Sequence, residues 1–166
     1  MKNKILLKIF LLALFAFGGM GCATSSHQIP PGQLKSFSFA TGGSSRYEIR
    51  ALSARQEGQE VRLQVDTWVE VNGEDQQVQI NKAVNEPDLL PRLGELIREQ
   101  QLSEWNGFDG KNANALDGNS FSFLAVYDQG GKIQAKGYIK MPKNYQKGRT
   151  AILNIFEPYV KKYQGK

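Results

Sequence analysis

The sequence predicts an α+β domain: an antiparallel sheet of about six strands, in the order β-β-β-β-α-β-β-α, with two helices packed on one face. Three observations carry this. Residues Glu60 to Val71 alternate apolar and polar side chains and run into Asn72-Gly73, a dipeptide that suits tight hairpins. Leu89, Leu90, Leu93, Leu96 and Ile97 recur at the spacing of one helix face. A second pair of alternating runs, Phe121 to Tyr127 and Lys132 to Lys140, flanks Asp128-Gln129-Gly130-Gly131. Hairpins and helices in separate blocks point to an antiparallel sheet rather than to parallel βαβ units.

The elements follow in chain order. Leu34 to Ala40 places Phe37 and Phe39 on one side, and after the turn cluster Thr41 to Ser45 a second run places Tyr47, Ile49 and Ala51 on one side. In the third strand Val61, Leu63, Val65, Thr67, Val69 and Val71 oppose Glu60, Arg62, Gln64, Asp66 and Glu70, with Trp68 interrupting the polar face. Gln76 to Asn81 returns with Val78 and Ile80 inward. A helix is expected over residues 86 to 101, with Asn85 as cap, Pro87 in the first turn, and Glu86 and Asp88 complementing the positive end of the helix dipole. Both faces of Phe121 to Tyr127 are partly apolar, as befits a central strand. After a turn region at Asn144 to Gly148, Ile152, Ile155, Phe156, Tyr159, Val160 and Tyr163 mark a C-terminal helix that Pro158 should kink or restart.

The chain has 166 residues, enough for one domain with a real core, and its 40% apolar and 22% charged composition is that of a globular protein. With one Cys there is no internal disulfide, and with one His, His27, there is little imidazole chemistry. The formal charge of +5 is unevenly spread. Residues 22 to 128 carry nine basic and fifteen acidic side chains, and residues 129 to 166 carry nine basic and one acidic. The remaining three, Lys2, Lys4 and Lys8, precede the nine consecutive apolar residues Ile9 to Phe17 and the small residues Gly18-Gly19-Met20-Gly21 before Cys22. That is the layout of a secretory signal. The uncharged stretch Ile9 to Gly21 gives about 20 Å of helix against a hydrocarbon core of about 30 Å, too short to span.

Gly19-Met20-Gly21-Cys22 resembles the lipobox of bacterial lipoproteins, with Gly19 standing where that family favours Leu. The resemblance implies that residues 1–21 are a signal peptide, that Cys22 is lipidated and becomes the first residue, and that the protein is membrane-anchored in the cell envelope. Ala23 is not the Asp that retains such proteins in the inner membrane of enteric bacteria. In a source with two membranes the expected place is therefore the outer membrane, facing the periplasm; otherwise it is the outer face of the cytoplasmic membrane. The alternative is an ordinary secretory signal cleaved nearby, leaving Cys22 a free thiol. Residues 22–32 carry Ser, Thr and a Pro pair without apolar periodicity and read as a flexible tether, and residues 33–166 as the single folded domain.

Chemistry-bearing patterns are sparse. Asp109 to Asn119 is rich in Asp, Asn and Gly, but Lys111, Ala113 and Ser120 stand where a calcium loop needs oxygen ligands, so it reads as a connection. Of the available carboxylates Glu95, Glu99 and Glu104, the first two belong to a solvated helix face, and no nucleophile elbow, phosphate loop, dinucleotide fingerprint or zinc spacing is present. No cofactor and no metal are expected. Trp105, Phe108, Tyr138 and Tyr145, in or beside loops, form with Lys132, Lys136 and Lys140 a candidate binding surface, the competing role of Trp105 and Phe108 being to cap the core. The basic last quarter either faces an anionic partner or folds against the acidic first part. The functional expectation is a non-catalytic binding module for an envelope protein or an anionic or glycan ligand, with nucleic acid excluded by location. A small envelope hydrolase using carboxylates or a Ser-Lys pair is the alternative.

Overall fold

A computed structural model describes residues 28–43, 50–111 and 118–164. Among the described residues seven strands and two helices make an α+β domain. The strands are β1 (Leu34–Gly42), β2 (Arg50–Glu57), β3 (Glu60–Val71), β4 (Glu74–Val84), β5 (Asp109–Gly110), β6 (Ser120–Tyr127) and β7 (Lys132–Tyr138). The helices are α1 (Leu89–Glu99) and α2 (Tyr145–Tyr163), with a 3-10 turn at Leu102–Trp105. The sheet order is β4-β3-β2-β1-β6-β7-β5. Every pair is antiparallel except β5 with β7.

Alternation decides which face is buried. Phe37 and Phe39 lie in register with Ala54 and Leu52 on one side and with Ala125 and Phe123 on the other. Leu63, Val65, Val78, Ile80, Ile133 and Ala135 continue the same layer. Leu89, Leu90, Leu93, Leu96 and Ile97 of α1, with Ile152, Phe156, Tyr159 and Val160 of α2, close over it to form one core. Phe37 sits edge-on to Phe123, ring centres 5.6 Å apart, and is stacked with Phe156 at 6.1 Å, so sheet and helix meet through aromatic contacts.

Several boundaries differ from the sequence expectation. The sheet is mixed and has a seventh strand, β5, only two residues long. Its room comes from missing side chains: a Cβ on Gly110 or on Gly137 would lie 2.4 Å from the Lys140 carbonyl. In β2 the inward residues are Leu52 and Ala54 while Ala51 faces solvent; Tyr47 and Ile49 lie outside the described residues. Helix α1 begins at Leu89, three residues later than expected, with Asp88 as N-cap and the Leu89 N–H donating to the Glu86 carbonyl at 3.1 Å. Asn85, Glu86 and Pro87 thus precede the helix. Helix α2 starts at Tyr145, inside the expected turn region, and passes through Pro158 without restarting.

Candidate functional site

Both helices cover one face of the sheet, among the described residues the other is open, and the register reveals the layout of that face. One row runs Gln79, Asp66, Ala51, Ala40, Ser122, Lys136 and Asp109 across the strands. The next runs Asn81, Gln64, Ser53, Ser38, Leu124 and Gln134. Small residues occupy both central strands, and longer ones stand on either side. The result is a trough of about 540 Å³ over β1 and β2, lined by Ser38, Ala40, Ala51 and Ser53 on its floor and by Gln64, Asp66, Gln79 and Asn81 on one wall.

The wall is ordered by its own hydrogen bonds. Ser53 Oγ donates to Gln64 Oε1 at 3.0 Å, Gln77 Nε2 donates to Asp66 Oδ1 at 2.9 Å, and Arg62 Nη1 donates to Asn81 Oδ1 at 3.2 Å. These contacts orient the amides while leaving donor and acceptor capacity on each. Among the described residues Asp66 is the only charged one lining the trough. Chemically, the surface offers a narrow floor that a chain can approach closely and an amide-rich, hydrogen-bonding flank with one carboxylate, Asp66.

The residues singled out from sequence do not gather at one place. Trp105, 1% exposed, packs its ring against Phe121, Phe123 and Tyr145, and its Nε1–H donates to the Lys143 carbonyl at 3.0 Å. Tyr145, 7% exposed, is a core residue at the start of α2. Both therefore pack in the core. Phe108 is half-buried with its ring centre 6.2 Å from that of Phe121. Lys132, Lys136 and Tyr138 do share the open face, on β7, where they stand with Gln134. Lys140 leaves that face because the strand ends at Tyr138: Ile139 takes a positive φ of 65° and the Lys140 N–H turns back to the Tyr138 carbonyl at 2.7 Å. Cys22 and His27 lie outside the described residues.

Charge in the last quarter is largely turned to water. Lys136 pairs with Asp109 at 3.3 Å and Lys161 with Glu157 at 2.9 Å, whereas Lys132, Lys140, Lys143 and Lys147 are exposed. Arg50, beside α2, donates from Nη1 to Thr67 Oγ1, and its pKa is lowered first by burial and then by the nearby Arg149. Every described Asp and Glu is exposed, including Glu95, Glu99 and Glu104. Among the described residues no cluster of His, Cys, Asp and Glu could hold a metal ion, and no helix is long and apolar enough to cross a membrane. Residues 112–117 of the Asp/Asn-rich connection lie outside the described residues.

What sequence reasoning missed is the trough. Its signal was present as the polar register of β1 and β2, Ser36-x-Ser38-x-Ala40 and Ala51-x-Ser53, which alternates with the inward phenylalanines and Leu52. Comparison of the chain with protein families, with curated proteins and with solved structures finds no match.

Proposed function

We propose that this is a lipid-anchored cell-envelope protein whose folded domain binds a neutral glycan strand in the trough over β1 and β2. The observation that carries the reading is the lining of that trough: a floor of Ser and Ala beside a wall of Gln, Asn and Asp. Sugar hydroxyls both donate and accept hydrogen bonds, as do side-chain amides, and a floor without bulk lets a pyranose chain lie close to the sheet. An anionic polymer fits less well, because the trough's own charge is Asp66 and the exposed lysines of β7 stand beyond Ser122 and Leu124 in the register.

The anchor rests on the lipobox resemblance at Cys22. The chain joins the domain beside the β6–β7 turn, where the Gln33 N–H donates to Asp128 Oδ1 at 3.0 Å. Five residues separate Cys22 from Gln28, a reach of at most about 20 Å over the six Cα–Cα steps, which holds that turn close to the bilayer. Acyl chains contributing about 0.8 kcal/mol per buried methylene make such attachment durable.

Two experiments test the reading. Cys22→Ser should move the protein from the membrane fraction to the soluble one; unchanged partitioning removes the anchor from the proposal. Co-sedimentation with insoluble cell-wall polysaccharide should weaken by about ten-fold or more when Ala51→Trp fills the trough, a loss of about 1.4 kcal/mol, while Lys132→Ala with Lys136→Ala leaves it unchanged. Equal retention of the Ala51→Trp protein, with an unaltered circular dichroism spectrum, overturns the glycan site.

A further inference from the structure

The two edges of the sheet are treated differently. On the β7 side the segment around β5 covers the edge: the Gly107 N–H donates to the Gln134 carbonyl at 2.9 Å, the Gln134 N–H to Asn106 Oδ1 at 3.1 Å, and the Lys136 N–H to the Phe108 carbonyl at 2.9 Å. On the other side β4 ends the sheet, and among the described residues no strand pairs with its outer edge. That edge is eleven residues long, contains no proline, and is in unbroken register with β3 from Val71↔Glu74 to Val61↔Val84. Long, regular edges without Pro or bulge are templates for another strand.

The hairpin fixes which backbone groups face outward. Asn72 and Gly73 are both left-handed, φ 54° and 84°, and Val71 faces Glu74 across this two-residue loop. In such a hairpin the closing pair exchanges both of its hydrogen bonds, and every second pair after it does the same. Val78 and Ile80 therefore bond to β3, while the N–H and C=O of Gln77, Gln79 and Asn81 point away from the sheet.

We infer that β4 is a homodimer edge, pairing antiparallel with β4 of a second copy about a two-fold axis at Gln79. In this register Gln79 faces its own copy, Gln77 faces Asn81 and Val78 faces Ile80. The outward groups then exchange about six backbone hydrogen bonds. A second copy is favoured over an unrelated strand because the side chains are self-complementary: each amide donates and accepts, so Gln79 against Gln79 and Gln77 against Asn81 pair without a like-charge contact. Lys82, whose Nζ sits 4.6 Å from the centre of the Tyr163 ring, falls opposite Gln76 rather than opposite its own copy. Such a dimer is isologous and closed, which stops the edge from propagating into a filament. It continues the sheet sideways and leaves the trough floor on β1 and β2 uncovered; because Gln79 and Asn81 also stand on the trough wall, the dimer is read by trapping and by mass, and not by glycan retention.

Disulfide trapping tests the register directly. Directly opposed, hydrogen-bonded residues have Cα atoms about 5.5 Å apart, within disulfide reach. In full-length protein carrying Cys22→Ser, oxidation of Gln79→Cys should give a covalent dimer, and Ser53→Cys, in the middle of the same face, should give none. Light scattering of the Cys22→Ser protein should show twice the monomer mass, with Gln79→Pro, which removes an outward N–H, weakening association at least ten-fold. A monomeric mass at the highest soluble concentration, equal trapping of the two cysteine variants, or a dimer unaffected by a well-folded Gln79→Pro overturns the inference.

Discussion

Gly148 sets how close α2 comes to the core. A Cβ there would lie 2.7 Å from both Leu102 Cδ2 and Trp105 Cζ2, and Trp105 is held from the other side by Phe121 and Phe123. Alanine gains about 1 kcal/mol of helix propensity over glycine, but overpacking costs about 1–3 kcal/mol, and with an immobile indole as neighbour the second effect wins. Gly148→Ala should therefore lower the urea midpoint with an unchanged slope; a midpoint equal to the parent's contradicts the packing argument. Ile139 shows the opposite imbalance. It is a β-branched residue at φ 65° and, at 37%, the one large apolar side chain exposed among the described residues, so it bears left-handed strain at the surface. Replacing it with glycine should raise stability by about 1 kcal/mol, measured by the same unfolding titration.

Helix α2 tolerates Pro158 because the bond it forgoes lies on the wet side: Pro158 and Asn154, whose carbonyl loses its helical donor, are both exposed. Pro158→Ala should stabilise the protein by up to about 3 kcal/mol, and a rise in thermal midpoint with unchanged helical content is the expected result. The same helix explains where sequence reading stopped. The β3–β4 hairpin was legible because alternation and the Asn-Gly turn agree, and α1 was legible from its leucines apart from its first turn. The start of α2 was misread because Asn144 and Gly148 are turn-formers, yet Asn144 sits just ahead of the helix at φ 60° and Gly148 is small to admit Trp105. Strand β5 had no pattern to read, since two residues pair only where Gly110 and Gly137 leave room beneath the Lys140 carbonyl. The open face of the sheet was half legible. The β7 residues Lys132, Lys136 and Tyr138 share a face as their spacing predicts, whereas the small residues of β1 and β2 make a trough only once those two strands are known to be neighbours.

Over the whole molecule, alkaline pH is the condition that unsettles the core. Burial raises the phenol pKa values of Tyr127, Tyr145 and Tyr159; Arg98, Arg149 and Arg92 respectively oppose the rise, and Glu86 adds to it at Tyr159. Near pH 10 the folded state thus keeps phenol protons that the unfolded chain releases, and stability must fall as pH rises there. The contribution is complete below the unfolded value of about 10 and is lost as pH climbs through the folded values. Phenolate absorbance should show tyrosines titrating later in native than in urea-unfolded protein; coincident curves contradict the burial argument. The position of β1 has a mechanical consequence. The chain arrives past the β6–β7 turn and enters the sheet between β2 and β6. A pull from the amino-terminal side, once the Gln33 contact gives way, has to shear two ladders together, since no edge strand lies in its path to be unzipped bond by bond. The domain is thereby strung from the middle of its sheet, so tension applied ahead of Gln33 meets concerted resistance before any part of the fold opens.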